Sequence, residues 1–333
     1  MVGTTRRTSL RTVALIGIVI ALVVAILLSI GFGSNRLSLA SVLHGLFAYD
    51  GTADDVVVRD DRLPRTLVGV VVGMALGLAG ALMQAVTRNP IAEPGLLGIN
   101  HGAAFAIVAG SALLSVHDPD QLIWLAFGGA LLGTWLVSVI GGAISPIRLV
   151  LAGVAVQAVF VGLNQAFQVI NTHNLDQMRF WLVGSLVNRD LAGFAGLVPF
   201  FVAGMVIAAV LAGPLNVIAL GEDTARGLGA NPAVTRLAGM VAVGLLSAAA
   251  TAACGPIAFV GLMTPHLVRL MVGQDERWVL ALSALSAPVL LLICDVLGRV
   301  LGSPGEIQVG VMMDIVGGIA FVLVVRRLKA VRR

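Results

Sequence analysis

The chain has 333 residues, of which 58% are hydrophobic and 11% charged, with a formal net charge of +4 and a mean hydropathy of +1.01. This composition lies outside the range of soluble globular domains and defines a membrane protein with little room for a soluble domain. A bilayer core about 30 Å thick takes roughly 20 apolar residues per helical span, and stretches of that length recur from Val13 to Val325.

In chain order, the amino end reads TTRRTSLRT and runs into an apolar stretch longer than that of a secretory signal. An uncleaved first span is expected there. Ten spans are predicted, at 13–33, 66–87, 96–115, 122–142, 148–170, 193–212, 237–254, 257–271, 278–297 and 308–325. The eighth is short for lipid and suits a helix that runs partly through protein. The expected division is a tail at 1–12, one transmembrane domain at 13–325 and a basic tail at 326–333.

Ten spans put both termini on one side. If that side is the cytoplasm it holds fourteen of the Lys and Arg residues, and the other side holds seven, including Arg62, Arg65 and Arg299. The bias follows the positive-inside rule and places both ends in the cytoplasm. Forty glycines spread through the spans suit helices that approach closely, because lipid supplies no hydrophobic drive between them.

The third span opens on an interruption, NPIAEPGLLGINHG at 89–102, and a near-copy, GPIAFVGLMTPHLV, returns at 255–268. The two begin 166 residues apart, half the chain length. With five spans in each half, the second copy enters the membrane the opposite way, the inverted repeat of many transporters. The alternative is five chance matches in a biased composition. Asn89-Pro90 reads as a helix opening, with Asn as cap and Pro at the first position, ended within a turn by Pro94. Non-helical backbone at this depth belongs against protein or a watery cavity, so the break is expected to border a pathway.

Enzymatic motifs are missing. Lys329 is the only lysine, so the chain has no phosphate-binding GxxxxGK[ST] and binds no ATP of its own. HExxH and GxSxG are also absent, and His44, His101, His117, His173 and His266 share no helical face. Cys254 and Cys294 lie in apolar segments without metal or redox spacing and read as structural. Asp295, Asp314 and Glu93 are the acidic residues at membrane depth. Arg299 stands one helical turn after Asp295, so a structural ion pair competes with a proton relay. Gln157, Asn164, Gln165 and Gln168 fall roughly on one face of the fifth span, facing either a pathway or a neighbouring helix. The loop PLNVIALGEDTARGLGANPAVTR at 214–236 reads as two short helices. It suits either a solvated connection or a docking knob for a soluble partner.

Together, RLPRTLVGVVVGMALGLAGALMQAVTRNPIAEPGLLGINHGA, IRLVLAGVAV, LGEDTARGLGANP, GPIAFVGLMTPHLVRLMVG, DVLGRV and GEIQVGV resemble the FecCD-type permeases, membrane subunits of ATP-binding-cassette importers. The likeness covers nearly the whole chain. It implies an all-α polytopic protein of ten helices in two inverted five-helix repeats, placed in a bacterial plasma (inner) membrane. It also implies a second permease subunit, identical or paralogous, a cytosolic ATPase dimer that carries the ATP and Mg, and an extracytoplasmic substrate-binding protein. No cofactor is expected on this chain, and no nucleic acid. The resemblance makes Leu220, Gly221, Glu222, Ala225, Arg226, Leu228 and Gly229 the ATPase-coupling segment. It makes Arg62, Arg65 and Arg299 outward arginines that receive acidic residues of the binding protein. Asn89, Pro90 and Ile91 with Ser145, Pro146 and Ile147 match inner gates, and Gln157, Asn164 and Gln168 are the pathway candidates. Pro146 and Ile147 depart from the small hydroxyl residues of the cobalamin permease. The implied cargo is a ferric siderophore, with haem or cobalamin as alternatives, and an ion-coupled secondary transporter or a non-transporting scaffold as more distant ones.

Overall fold

The computed structural model describes residues 2–33, 37–142, 146–170, 181–187 and 191–331. The described residues form helices joined by short connections, without a strand. In order these are α1 (Val2–Gly31), α2 (Leu39–Phe47), α3 (Ala53–Val56), α4 (Leu63–Thr87), α5 (Ile99–Leu114), α6 (Pro119–Gly141), α7 (Pro146–Ile170), α8 (Leu191–Ala219), α9 (Glu222–Gly227), α10 (Pro232–Cys254), α11 (Val260–Val272), α12 (Glu276–Leu301) and α13 (Val309–Val331).

Seven of the ten predicted spans are helices long and apolar enough to cross a membrane. The other three are shorter apolar helices, beginning at Ile99, Val260 and Val309. Two of these follow the near-copy breaks. At 13 residues, α11 rises only about 20 Å, and its first turns, Val260 to Pro265, are buried against protein. The residues predicted as tails continue helices: α1 starts at Val2 and α13 runs to Val331. Charge at the membrane surface positions a span but does not end a helix. Between the first two spans, α2 and α3 were not foreseen. A π-helical turn, Val57–Arg62, joins α3 to α4, and Thr52 and Asp55 form a capping box at the start of α3. His44 Nδ1 lies 2.9 Å from Asp55 Oδ1 and fastens α2 to α3, a bond that raises the His44 pKa above its ordinary value.

Buried α4 and α10 form the centre, with α12, α8 and α6 packed around them. Close approach explains the glycines of α4. A Cβ on Gly73 would stand 2.6 Å from the Pro288 backbone of α12, and one on Gly77 would stand 2.4 Å from Ser283 O. At Gly80 it would fall 1.9 Å from Gly261 O, where α11 begins. These contacts are with backbone and cannot be relieved by a rotamer change. Gly80→Ala is therefore expected to lower stability by about 1–3 kcal/mol, read as a fall in melting temperature in lipid nanodiscs.

The two ends of the bundle are chemically distinct. At one end Arg11 of α1 pairs with Asp275 at 3.3 Å, and Asn216 of α8 donates to the same aspartate. At the other end Ser29 of α1 meets Arg299 of α12. Asp275 and Arg299 lie at the two ends of α12, which puts these clusters roughly 36 Å apart at about 1.5 Å of rise per residue.

Candidate functional site

The first candidate region is the pair of breaks. Arg88 ends α4 in the left-handed conformation, φ 51. Residues 89–92 then form a β-turn in which Ala92 N donates to Asn89 O and Asn89 Oδ1 accepts from Ile91 N. This corrects the expected helix opening. Asn and Pro at the first two positions of a turn satisfy the same local donors that a helix would use. Pro94 does not end a helix but starts a 3₁₀ turn, Pro94–Leu97, because the residue before a proline is held extended and Glu93 sits at φ −125, ψ 140. The third span therefore starts at Ile99, three residues later than predicted.

The second break follows Cys254. Gly255 adopts φ 76 and approaches Trp181 O so closely that a Cβ would sit 2.4 Å away. Phe259, at φ 65, introduces α11. The near-copy segments, distant in sequence, meet in space. Glu93 accepts from Phe259 N at 2.8 Å, and Gly261 packs against Pro94. A cavity of about 20 Å³ remains between them, bordered by Glu93, Asn100, Ser247 and Thr251 among others, enough for about one water. Gln157 of α7 donates to Gly95 O at 2.9 Å, so this member of the polar face bonds to the break. Asn164 is buried while Gln165 is exposed, which splits the predicted stripe between interior and surface. Pro90 and Ile91 are exposed at the turn, Asn89 is half-buried, and Ile147 is exposed at the start of α7. Ser145 lies outside the described residues, as do Arg36, Arg179, Arg189 and His173, and so do the side chains of Pro146 and Gln168.

The second region is the knob. The predicted pair of short helices is one, α9, because α8 continues through Pro214 to Ala219. Gly221 at φ 113 and Gly229 at φ 80 flank it, conformations that favour glycine. Leu220, Arg226 and Leu228 are exposed. Ala225 is buried, so it packs inside the knob and offers no surface. Glu222 is turned inward as a brace, 2.6 Å from Arg236 of α10 and 3.4 Å from Arg226. The Arg236 hydrogen bond holds its carboxyl below the usual carboxylate range. Asn231 caps α10 by accepting from Ala233 N and Val234 N.

Polar contacts run from the knob to the breaks. Arg88 donates to Ile218 O at 2.6 Å, beside the root of α9. Asn216 accepts from Glu276 N. Glu276 receives two bonds from Arg269, which also bonds Gln84, and Gln84 donates to Leu262 O at 3.1 Å. Sequence reading missed this set. Its members are scattered over four helices, α4, α8, α11 and α12, and no local spacing marks them.

The third region corrects an expectation of exposure. Arg62, Arg65 and Arg299 are 2%, 3% and 2% exposed, so they do not project outward. Arg65 binds Asp295 through Nε and Nη2, the latter at 2.7 Å, and Glu306 through Nη1 at 2.7 Å. Arg299 reaches Asp295 at 3.0 Å, the i, i+4 pair that the sequence allowed. Arg299 also donates to Ser29 O, and Arg62 donates to Ile30 O and Gly31 O. The last carbonyls of a helix lack intrahelical donors, and these guanidiniums supply them for α1. Burial follows from that task and from the Asp295 charge.

A polytopic helical protein with broken helices meeting at its centre belongs to the class of membrane transport permeases. Residues 13–327 match the FecCD transport family. The chain is 45% identical over 322 residues to the ferric enterobactin transport system permease protein FepD of Escherichia coli, covering 95% of this chain and 96% of that one. It is 39% identical over 326 residues to the siderophore transport system permease protein YfiZ of Bacillus subtilis, covering 97% and 98%. Its fold matches an inward-facing structure of a metal-chelate type ABC transporter, with a TM-score of 0.81 and 26% identity over 94% of this chain and 98% of that one. The chain thus belongs to the FecCD transport family and is the permease subunit of an ABC transporter.

Proposed function

We propose that the chain imports a ferric siderophore, handed over by an extracytoplasmic binding protein and driven by ATP hydrolysed on a separate cytosolic ATPase pair. The observation that carries this reading is the exposed knob at 220–229, braced by Glu222 and Arg236 and tied through Arg88 and Asn216 to the two breaks. The relatives' cargo supports the siderophore class: the similar permeases from both organisms are named for ferric enterobactin or siderophore transport.

The positive-inside count supports a cytoplasmic knob and cytoplasmic termini, which sets Arg62, Arg65 and Arg299 at the outer end. There the arginine cluster is the docking ground for acidic residues of the binding protein. Asp314 of α13 supports a second permease subunit. It is exposed beside Ile315 and Ile319, and a carboxylate on a lipid face is costly unless a partner covers it. The turn at 89–91 and Ile147 then gate the inner end of the path between subunits.

The test is uptake into vesicles holding the permease with its ATPase and binding protein. Ferric siderophore uptake should require ATP and persist when the proton gradient is collapsed. Uptake that ignores ATP and stops with an uncoupler decides for a secondary carrier.

A further inference from the structure

The docking ground presents a difficulty: its arginines are buried and already bonded. We propose that Glu306 is a resident carboxylate occupying the outer arm of Arg65 until an acidic side chain of the binding protein takes its place. The inference rests on the docking reading above and adds the step that makes docking possible.

Arg65 is held from two directions. Its Nε and Nη2 face Asp295, which has no exposed side-chain surface and is also bound by Arg299. Removing that carboxylate would take this charge partner from Arg299 and leave Arg65 to Glu306. Its Nη1 faces Glu306, whose side chain is 24% exposed and belongs to the connection between α12 and α13. Ser303, Pro304 and Gly305 of that connection are exposed, and its base is closed by Ile307 N donating to Gly298 O at 3.1 Å. Of the two carboxylates on Arg65, Glu306 alone has a solvent-facing side and a tether that can swing while the base stays closed.

Charge and geometry favour exchange over simple addition. Acidic residues already surround the cluster, Asp61 and Asp54 near Arg62 and Asp295 and Glu306 on Arg65, so an added carboxylate gains little unless one of them makes way. All three guanidiniums are nearly inaccessible, so an arriving carboxylate finds an arginine donor only where Glu306 leaves one. Substituting one carboxylate for another preserves the charge-assisted hydrogen bond. A partly exposed ion pair is also weak enough to be displaced. Glu306 thereby acts as a built-in competitor that sets the affinity of docking.

The experiment uses the full transporter in nanodiscs and measures binding of its binding protein at low salt. Glu306→Gln should bind about fivefold tighter, the gain from deleting a competing ion pair near 1 kcal/mol. Glu306→Asp, which keeps the carboxylate, should stay near wild type, and Arg65→Lys should weaken binding. Unchanged or weaker binding by Glu306→Gln, with Arg65→Lys still impaired, overturns the exchange and leaves the docking reading standing. Equal tightening by Glu306→Asp overturns it too, because loosening of the connection then accounts for the gain. Wild-type binding by a folded Arg65→Lys transporter removes the docking reading and the exchange together. Retained ATPase assembly and melting temperature verify folding of each variant.

Discussion

Asp295→Asn should lower the stability of the permease by about 3–5 kcal/mol, the usual result of removing one partner from a buried ionic group. Asp295 is fully buried and receives hydrogen bonds from Arg65, with Arg299 3.0 Å away on the other side. The amide keeps the shape but loses the charge, which leaves two guanidiniums facing a neutral group beyond the reach of water. Arg299 also caps the end of α1, so the loss should spread to the packing of α1 on α12. A large drop in melting temperature, with the α1 end becoming protease-sensitive first, is the expected observation. An unchanged melting temperature would mean that the cluster is held by packing and that its charges contribute little.

The second large effect is expected at the knob. Leu220 and Leu228 are 66% and 65% exposed, and neither supports the fold. Leu220→Asp combined with Leu228→Asp should therefore leave the melting temperature unaltered. If these leucines are anchors in a groove of the ATPase, each change costs about 2 kcal/mol of docking, and uptake should fall by well over tenfold. Substituting Glu222 differs in kind, because it releases Arg236 and loosens the knob itself. Co-purification of the ATPase with each variant separates the two cases. Full uptake by the double aspartate variant would take the coupling role away from this segment.

Much of the architecture was legible because lipid is a strict solvent. It admits a helix of a certain length and apolarity, and the ten apolar stretches are helices, seven of spanning length. The near-copies at 89–102 and 255–268 marked the two interruptions correctly. The local form of the first was misread, since Asn followed by Pro begins a turn as readily as a helix. The knob was found from its charges and glycines, although α8 runs further into it than two prolines and a polar run suggested.

Composition, the apolar stretches, the paired breaks and the loop at 214–236 follow from the sequence itself, because each depends on one segment and its solvent. The contacts that make these parts act together were decided by the tertiary structure. Arg65 meets Asp295 across 230 positions, and Glu93 meets Phe259 across 166. A charge read along the chain has no partner and is assigned to the surface. Folded, the same three arginines are buried, because helix-end carbonyls and a buried aspartate attract them more strongly than water does.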